Sequence, residues 1–202
     1  MSTYVYGITA SSHPPPAEGT GGVGEPPRAV RVLTEGALAA LVSDAPEGLR
    51  PEDRELLAHE QVIAEASAAG CVLPLRFGSL APDDRAVTGV LAERAEHYTE
   101  RLRALEGRVE YRLAAGRRSG GDDAALRRAL EPEAEDATVG TDAGGRLADV
   151  AFLVERTAAE RFLAAVERVR RDLPHLDVRV DGPLPPYSFV EPGPAEPAAP
   201  RP

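Results

Sequence analysis

The sequence predicts an α+β fold of ferredoxin-like type with a smaller β-α-β unit behind it. Three observations carry that reading. Strand-like and helix-like periodicities alternate along the chain, and the helices are too few to cover both faces of the strands. Two stretches, 11–27 and 116–146, break into Gly, Pro, Ser and acidic residues where no long element can continue. With 202 residues, 43% of them hydrophobic, the chain has enough apolar material for a core of one larger domain or two small ones.

The elements follow in order. Thr3 to Ile8 alternates as a strand, with Tyr4, Tyr6 and Ile8 placed on one face. Ser11 to Pro27 is a surface loop. Ala29–Leu33 and Ala37–Val42 read as two strands joined through Thr34-Glu35-Gly36. A helix opens at Pro51 with Glu52, Asp53 and Glu55 at its positive end, and carries Leu56, His59, Ile63 and Ala66 on one face up to Gly70. Val72–Phe77 is the next strand. One long helix is expected from Asp83 to Leu105, because Val87, Leu91, Ala95, Tyr98, Leu102 and Leu105 are spaced by threes and fours. Val109, Tyr111 and Leu113 then alternate with charged residues as a half-buried strand closing the first domain, residues 1–115.

Residues 116–147 read as a connector, flexible or weakly helical around Ala124–Leu130. The second unit, 148–190, has an apolar strand at Val150–Val154, then a helix with Phe162, Val166, Val169 and Leu173. A strand with Leu176, Val178 and Val180 closes it. A β-α-β unit this small cannot bury both its faces alone and is expected to pack on the first domain. Residues 191–202 hold five prolines and no large apolar side chain, and are expected to be a disordered tail.

Composition excludes several functions. The net charge is −10 and neither half is basic, which argues against a nucleic-acid partner. All 23 basic residues are arginine, a bias read here as ancestry rather than chemistry. Cys71 is the single cysteine, so no internal disulfide or cysteine-based metal cluster can form. No apolar run is long enough for a transmembrane helix, and the first residues lack a signal-peptide pattern. A cytoplasmic protein with no lipid-membrane partner is the expectation.

Motif chemistry is sparse. Gly19-Thr20-Gly21-Gly22-Val23-Gly24 fits G-x-G-x-x-G, but Glu25-Pro26-Pro27 follows where a dinucleotide site needs a helix N-terminus. His59-Glu60 lacks the second histidine of a zinc-protease helix, since position 63 is Ile63. His13, His59, His97 and His175 sit in four separate elements. His59 reads as a core-edge residue, and Cys71 as core. The alternating charges of Glu93 to Arg103 are a solvated helix face. No catalytic set, cofactor site or metal site emerges.

Two segments ask for more. In Leu73-Pro74-Leu75-Arg76-Phe77-Gly78, alternation places Leu73, Leu75 and Phe77 on one face and Pro74 and Arg76 on the other. Arg76 then faces a partner, another domain or solvent, with Glu110 a candidate ion partner if the strands are neighbours. In Gly182-Pro183-Leu184-Pro185-Pro186-Tyr187-Ser188-Phe189-Val190, prolines stiffen an extended chain, and Tyr187 and Phe189 share one face of a closing strand. Pro74, Arg76, Phe77, Tyr187 and Phe189 are therefore the candidate interface or structural residues.

These segments resemble the gas vesicle protein F/L family. So do Tyr4-Val5-Tyr6-Gly7-Ile8, Leu41-Val42-Ser43, His59, the strand containing Glu110, and Ala151-Phe152-Leu153-Val154. The match is collinear over about residues 3–115 and 148–190. It departs from the family at Leu184, where tryptophan is usual, and in a shorter stretch between the domains. The resemblance implies a non-enzymatic accessory, minor structural protein of gas vesicle assembly, vesicle-associated in the cytoplasm. Its first domain would be a modified ferredoxin-like fold. The implied partners are the hydrophobic shell protein, whose aggregation it would limit during nucleation, and other gas vesicle accessory proteins. The alternatives are a small ferredoxin-like ligand-binding or regulatory domain, with weak catalysis through His59 or Arg76, and an accessory protein of a cluster that no longer makes vesicles.

Overall fold

The structure, a computed structural model of the chain, describes residues 2–116, 122–139, 147–174 and 177–190. The first sheet has the order β2-β3-β1-β4, built from β1 (Thr3–Ala10), β2 (Arg31–Glu35), β3 (Leu38–Asp44) and β4 (Val72–Pro74). A two-residue strand β5 (Leu80–Ala81) pairs with the start of β1, and all these pairings are antiparallel. Nearly every residue of β1 and β3 is buried, which requires cover on both faces of the sheet. Helix α1 (Asp53–Ala69) covers one face with Val62, Ile63 and Ala66, against Tyr4, Tyr6 and Leu41. Helices α2 (Asp84–Glu93) and α3 (Ala95–Leu105) cover the other with Val87, Leu91, Leu102 and Leu105, against Val5, Ile8, Ala40 and Val42. The ferredoxin-like expectation holds in a modified form, with helices on both faces of the sheet rather than too few to cover them.

A bulge in β1 explains the one misplaced residue there. Val5 pairs with Val42 and Gly7 with Leu41, leaving Tyr6 as the extra residue. One inserted residue flips the alternation beyond it, so Ile8 joins Val5 on the α2–α3 side instead of sharing a face with Tyr4 and Tyr6. The expected long helix is two helices. At Arg94 (φ −112°, ψ 22°) the chain turns aside, although its N–H still donates to Val90 and its carbonyl accepts from Tyr98. The two pieces follow different strands of a twisted sheet, α2 over β2, β3 and β5, and α3 over β1, β3 and β4. Ala95, placed inward by the stripe, is exposed at that corner.

The second sheet, β7-β8-β6-β9, takes β6 (Arg108–Gly116) from the segment assigned to the first domain. Its neighbours are β8 (Leu147–Glu155) and β9 (Asp177–Leu184), both antiparallel to it. The boundary between the sheets therefore falls at Glu106-Gly107 instead of after residue 115. Within 116–147 the structure adds α4 (Asp122–Leu130), with Leu126 and Leu130 fully buried, and an unexpected strand β7 (Asp136–Val139). Helix α5 (Ala159–Asp172) packs Phe162, Val166 and Val169 on the same face of this sheet. There Phe162 stacks on Tyr111 at 5.2 Å. Central strand β8 is apolar on both faces because it serves two cores. Val150, Phe152 and Val154 face α4 and α5, while Ala151 and Leu153 join the α2–α3 core of the first unit. The small second unit thus packs on the first, as its size requires. Leu176, His175 and the tail 191–202 lie outside the described residues.

Candidate functional site

Strand β4 stops at Pro74, whose missing N–H cannot extend the ladder, and the expected strand to Phe77 becomes a turn. The Leu75 N–H donates to the Tyr6 carbonyl at 2.8 Å, and the Ser79 hydroxyl donates to the Arg76 carbonyl at 2.7 Å. Gly78 sits at φ 86°, a left-handed conformation that other residues rarely adopt. The turn breaks the predicted alternation. Leu73 and Leu75 pack toward the α2–α3 core, Phe77 packs on the α1 side, and Pro74 is buried. Arg76 is exposed and makes no ion pair among the described residues. Glu110 is not its partner, because β4 and β6 belong to different sheets.

Beneath the turn lies a closed aromatic and polar cluster. His59, 2% exposed, sits with Nδ1 2.8 Å from the Tyr4 hydroxyl and Nε2 3.1 Å from the Leu75 carbonyl. The Gly78 N–H donates to the same Tyr4 hydroxyl at 3.2 Å. Tyr6 stacks on the imidazole at 5.6 Å, and Phe77 meets it edge-on at 5.8 Å. Burial pushes the His59 pKa down and the Tyr4 and Tyr6 phenols up, so all three rings are neutral at pH 7. The 11–27 loop is pinned to this cluster rather than lying free. Its Val23, fully buried, donates its N–H to the Tyr6 hydroxyl at 2.9 Å, and the Gly24 N–H donates to the buried Glu55 carboxylate at 2.7 Å. A lone valine among Gly and Pro was the only signal of this docking.

The C-terminal motif is a 3-10 turn, Tyr187–Phe189, where a closing strand was expected. Glu110 explains the difference. Its carboxylate is fully buried and accepts from the Ser188 N–H (2.7 Å), the Ser188 hydroxyl (2.8 Å) and Arg112 Nε (2.6 Å). Gly182, at φ 147°, lets β9 pass so close to β6 that a Cβ would meet the Tyr111 ring at 2.5 Å. Three-residue winding sends Tyr187 and Phe189 to different places. Phe189 enters the core between the units, its carbonyl held by Arg101, and Tyr187 packs half-buried on the α1 cluster, as Phe77 does. Burial raises the Tyr187 phenol pKa. The two motifs, more than a hundred residues apart, thus rest on the same buried cluster.

The chemistry of this arrangement is packing and internal hydrogen bonding. His59 has both ring nitrogens engaged, so it has no free position for a substrate or metal. Cys71 is half-buried, donates to the Leu102 carbonyl, and is pushed up to about 11 by burial, which makes its thiol a poor nucleophile. Among the described residues no group of three His, Cys, Asp or Glu side chains could hold a metal ion. No helix there is long and apolar enough to cross a membrane. The Gly19–Gly24 run is loop and bridge with no helix behind it, so it forms no phosphate cradle.

The profile of the gas vesicle synthesis protein GvpL/GvpF family matches residues 2–119 and 113–191. The chain belongs to this family. It is 46% identical to gas vesicle protein F of Streptomyces sp. (strain CB03234), over 95% of this chain and 100% of that one. It is 31% identical to gas vesicle protein L of the same strain, covering 93% and 92%. Among solved structures, GvpF from Anabaena sp. PCC7120 superposes with a TM-score of 0.78 at 21% identity, covering 95% of this chain and 97% of that one. GvpF from Microcystis aeruginosa gives 0.76 at 18%, covering 94% and 99%. These two share the α+β fold. Membership of a gas vesicle synthesis family gives the protein a role in gas vesicle assembly, and this is not a known enzyme family.

Proposed function

We propose that the protein is a non-enzymatic assembly factor that binds the hydrophobic gas vesicle shell protein and limits its aggregation during nucleation. It does so in the cytoplasm, alongside other gas vesicle accessory proteins, without a cofactor. The docking surface is the ground around Arg76, Phe77 and Tyr187, with Pro74 and Phe189 fixing its two turns from below. The observation that carries this reading is the exposed Arg76, without an ion pair among the described residues, on a turn anchored by a hydrogen bond from His59 and by its own N–H groups donating to Tyr4 and Tyr6. The anchored backbone fixes where the Arg76 side chain leaves the surface, and an arginine can engage a partner carboxylate bidentately. Half-buried Phe77, the next residue in the chain, supplies apolar area there, and Tyr187 packs on the same cluster. Co-expression of the shell protein with this chain in a host lacking other vesicle genes tests the reading. Shell protein should move from pellet to supernatant and co-purify with the chain. A pellet fraction equal to that with an unrelated acidic protein of the same size would refute it.

A further inference from the structure

The hydrogen bonds under the Arg76 turn run in one direction. The Leu75 carbonyl can only accept, so Nε2 of His59 carries a proton. The neutral ring then leaves Nδ1 bare, and Nδ1 accepts from the Tyr4 hydroxyl. The Tyr4 oxygen in turn accepts from the Gly78 N–H. One His–Tyr pair therefore grips both ends of the four-residue segment 75–78, with Arg76 held between them.

A second proton on His59 breaks this order. Nδ1–H would then point at the Tyr4 oxygen, and the phenolic proton would lose its acceptor inside a buried site. Among the described residues the new charge would also lack a counter-ion in contact. Around the cluster, β1 offers the phenols of Tyr4 and Tyr6, and the C-terminal turn offers Tyr187. Helix α1 offers Glu55, whose two oxygens are already taken by Arg54 and by the Gly24 N–H. Glu60 and Glu110 act on Tyr187, and Arg112 opposes them there. Burial accordingly disfavours the imidazolium.

We propose that His59 and Tyr4 are positioning residues that hold the 75–78 turn in its partner-binding shape only while His59 carries a single proton. Mild acidification then loosens the turn and releases the partner. This inference rests on the shell-binding reading above for the identity of the partner, and on the structure of this chain for the gate itself.

Two readouts separate those layers. Amide exchange of Gly78 in the full-length wild-type chain, corrected for intrinsic rates, reports the gate. Its protection should fall severalfold, up to the roughly tenfold limit that one proton allows, between pH 7.5 and 5.5, while that of Leu41 in β3 stays within twofold. Co-purification of co-expressed shell protein, measured over the same pH range, reports the function. It should fall at least threefold, and the fall should disappear in His59→Gln, which keeps an N–H for Leu75 but does not titrate. Tyr4→Phe should capture poorly at every pH while its far-UV spectrum stays native. Unchanged Gly78 protection, or the same pH slope in His59→Gln as in wild type, overturns the gate. Should His59→Gln fail to fold, wild-type Gly78 protection decides alone. Shell protein that fails to bind at any pH overturns the partner reading, and the exchange measurement still decides the gate.

Discussion

Two turns define the candidate surface, and they are held by opposite chemistry. The 75–78 turn rests on neutral groups, His59 and Tyr4, each satisfied by a single ordered chain of hydrogen bonds. The 187–189 turn rests on a charge, the Glu110 carboxylate, which takes both polar groups of Ser188 and is countered by Arg112. A neutral relay costs little to bury but depends on proton count. A buried carboxylate is costly to desolvate but, once cradled by several donors, fixes one geometry strongly. The first turn is therefore expected to respond to pH, and the second to mutation.

The largest expected effect is on the second turn. Phe189→Ala removes a ring that is 7% exposed and shared by both units, and should cost about 3–5 kcal/mol in a urea titration. A loss under about 1 kcal/mol would mean that the units do not share a core. Glu110→Ala should follow, at about 2–4 kcal/mol, since it strands the two Ser188 donors. Glu110→Gln keeps an acceptor and should cost clearly less. If the two Glu110 substitutions cost the same, the cradle contributes no directional bonding.

Smaller effects belong to the first turn. Burial lowers the His59 pKa below the unfolded value of about 6.5, so the unfolded chain binds more protons in that window. The His59 contribution to stability is therefore full above about pH 6.5 and declines as pH falls below it toward the depressed folded value. Comparing wild type with His59→Gln in urea titrations at pH 7.5 and 5.5 isolates this, because the substitution removes the site while the carboxylates remain. A stability difference between the two proteins that is constant with pH would contradict the assignment.

The sequence made much of this legible, and the gaps have physical causes. Alternation at Val109, Tyr111 and Leu113 located β6 correctly, yet sheet membership depends on pairing across some forty residues to Val150–Val154, which periodicity does not record. The continuous apolar runs of β3 and β8 match strands that each serve two cores, against the expectation of helices too few to cover both faces. The bulge at Tyr6 leaves no mark in the sequence, so simple alternation places Ile8 on the face opposite to the one it occupies. At the candidate site, the residues singled out by their motifs do cluster, but through turns instead of strands. Pro74 marks the end of β4, although alternation carries the expected strand on to Phe77, whereas Glu110 reads as an ion partner for Arg76, and only its burial reveals the Ser188 cradle.

The proposed function rests on Arg76, a cation without an ion pair among the described residues, carried on a turn whose backbone is anchored from below. Its exposure predicts that Arg76→Glu shifts stability by no more than about 0.5 kcal/mol. The decisive measurement is the amount of co-expressed shell protein that co-purifies with wild type and with Arg76→Glu at pH 7.5, with melting temperatures recorded on the same preparations. Melting temperatures should match, and shell protein recovered with the variant should fall at least tenfold. Equal recovery of shell protein from the two, at equal stability, would contradict the proposed function.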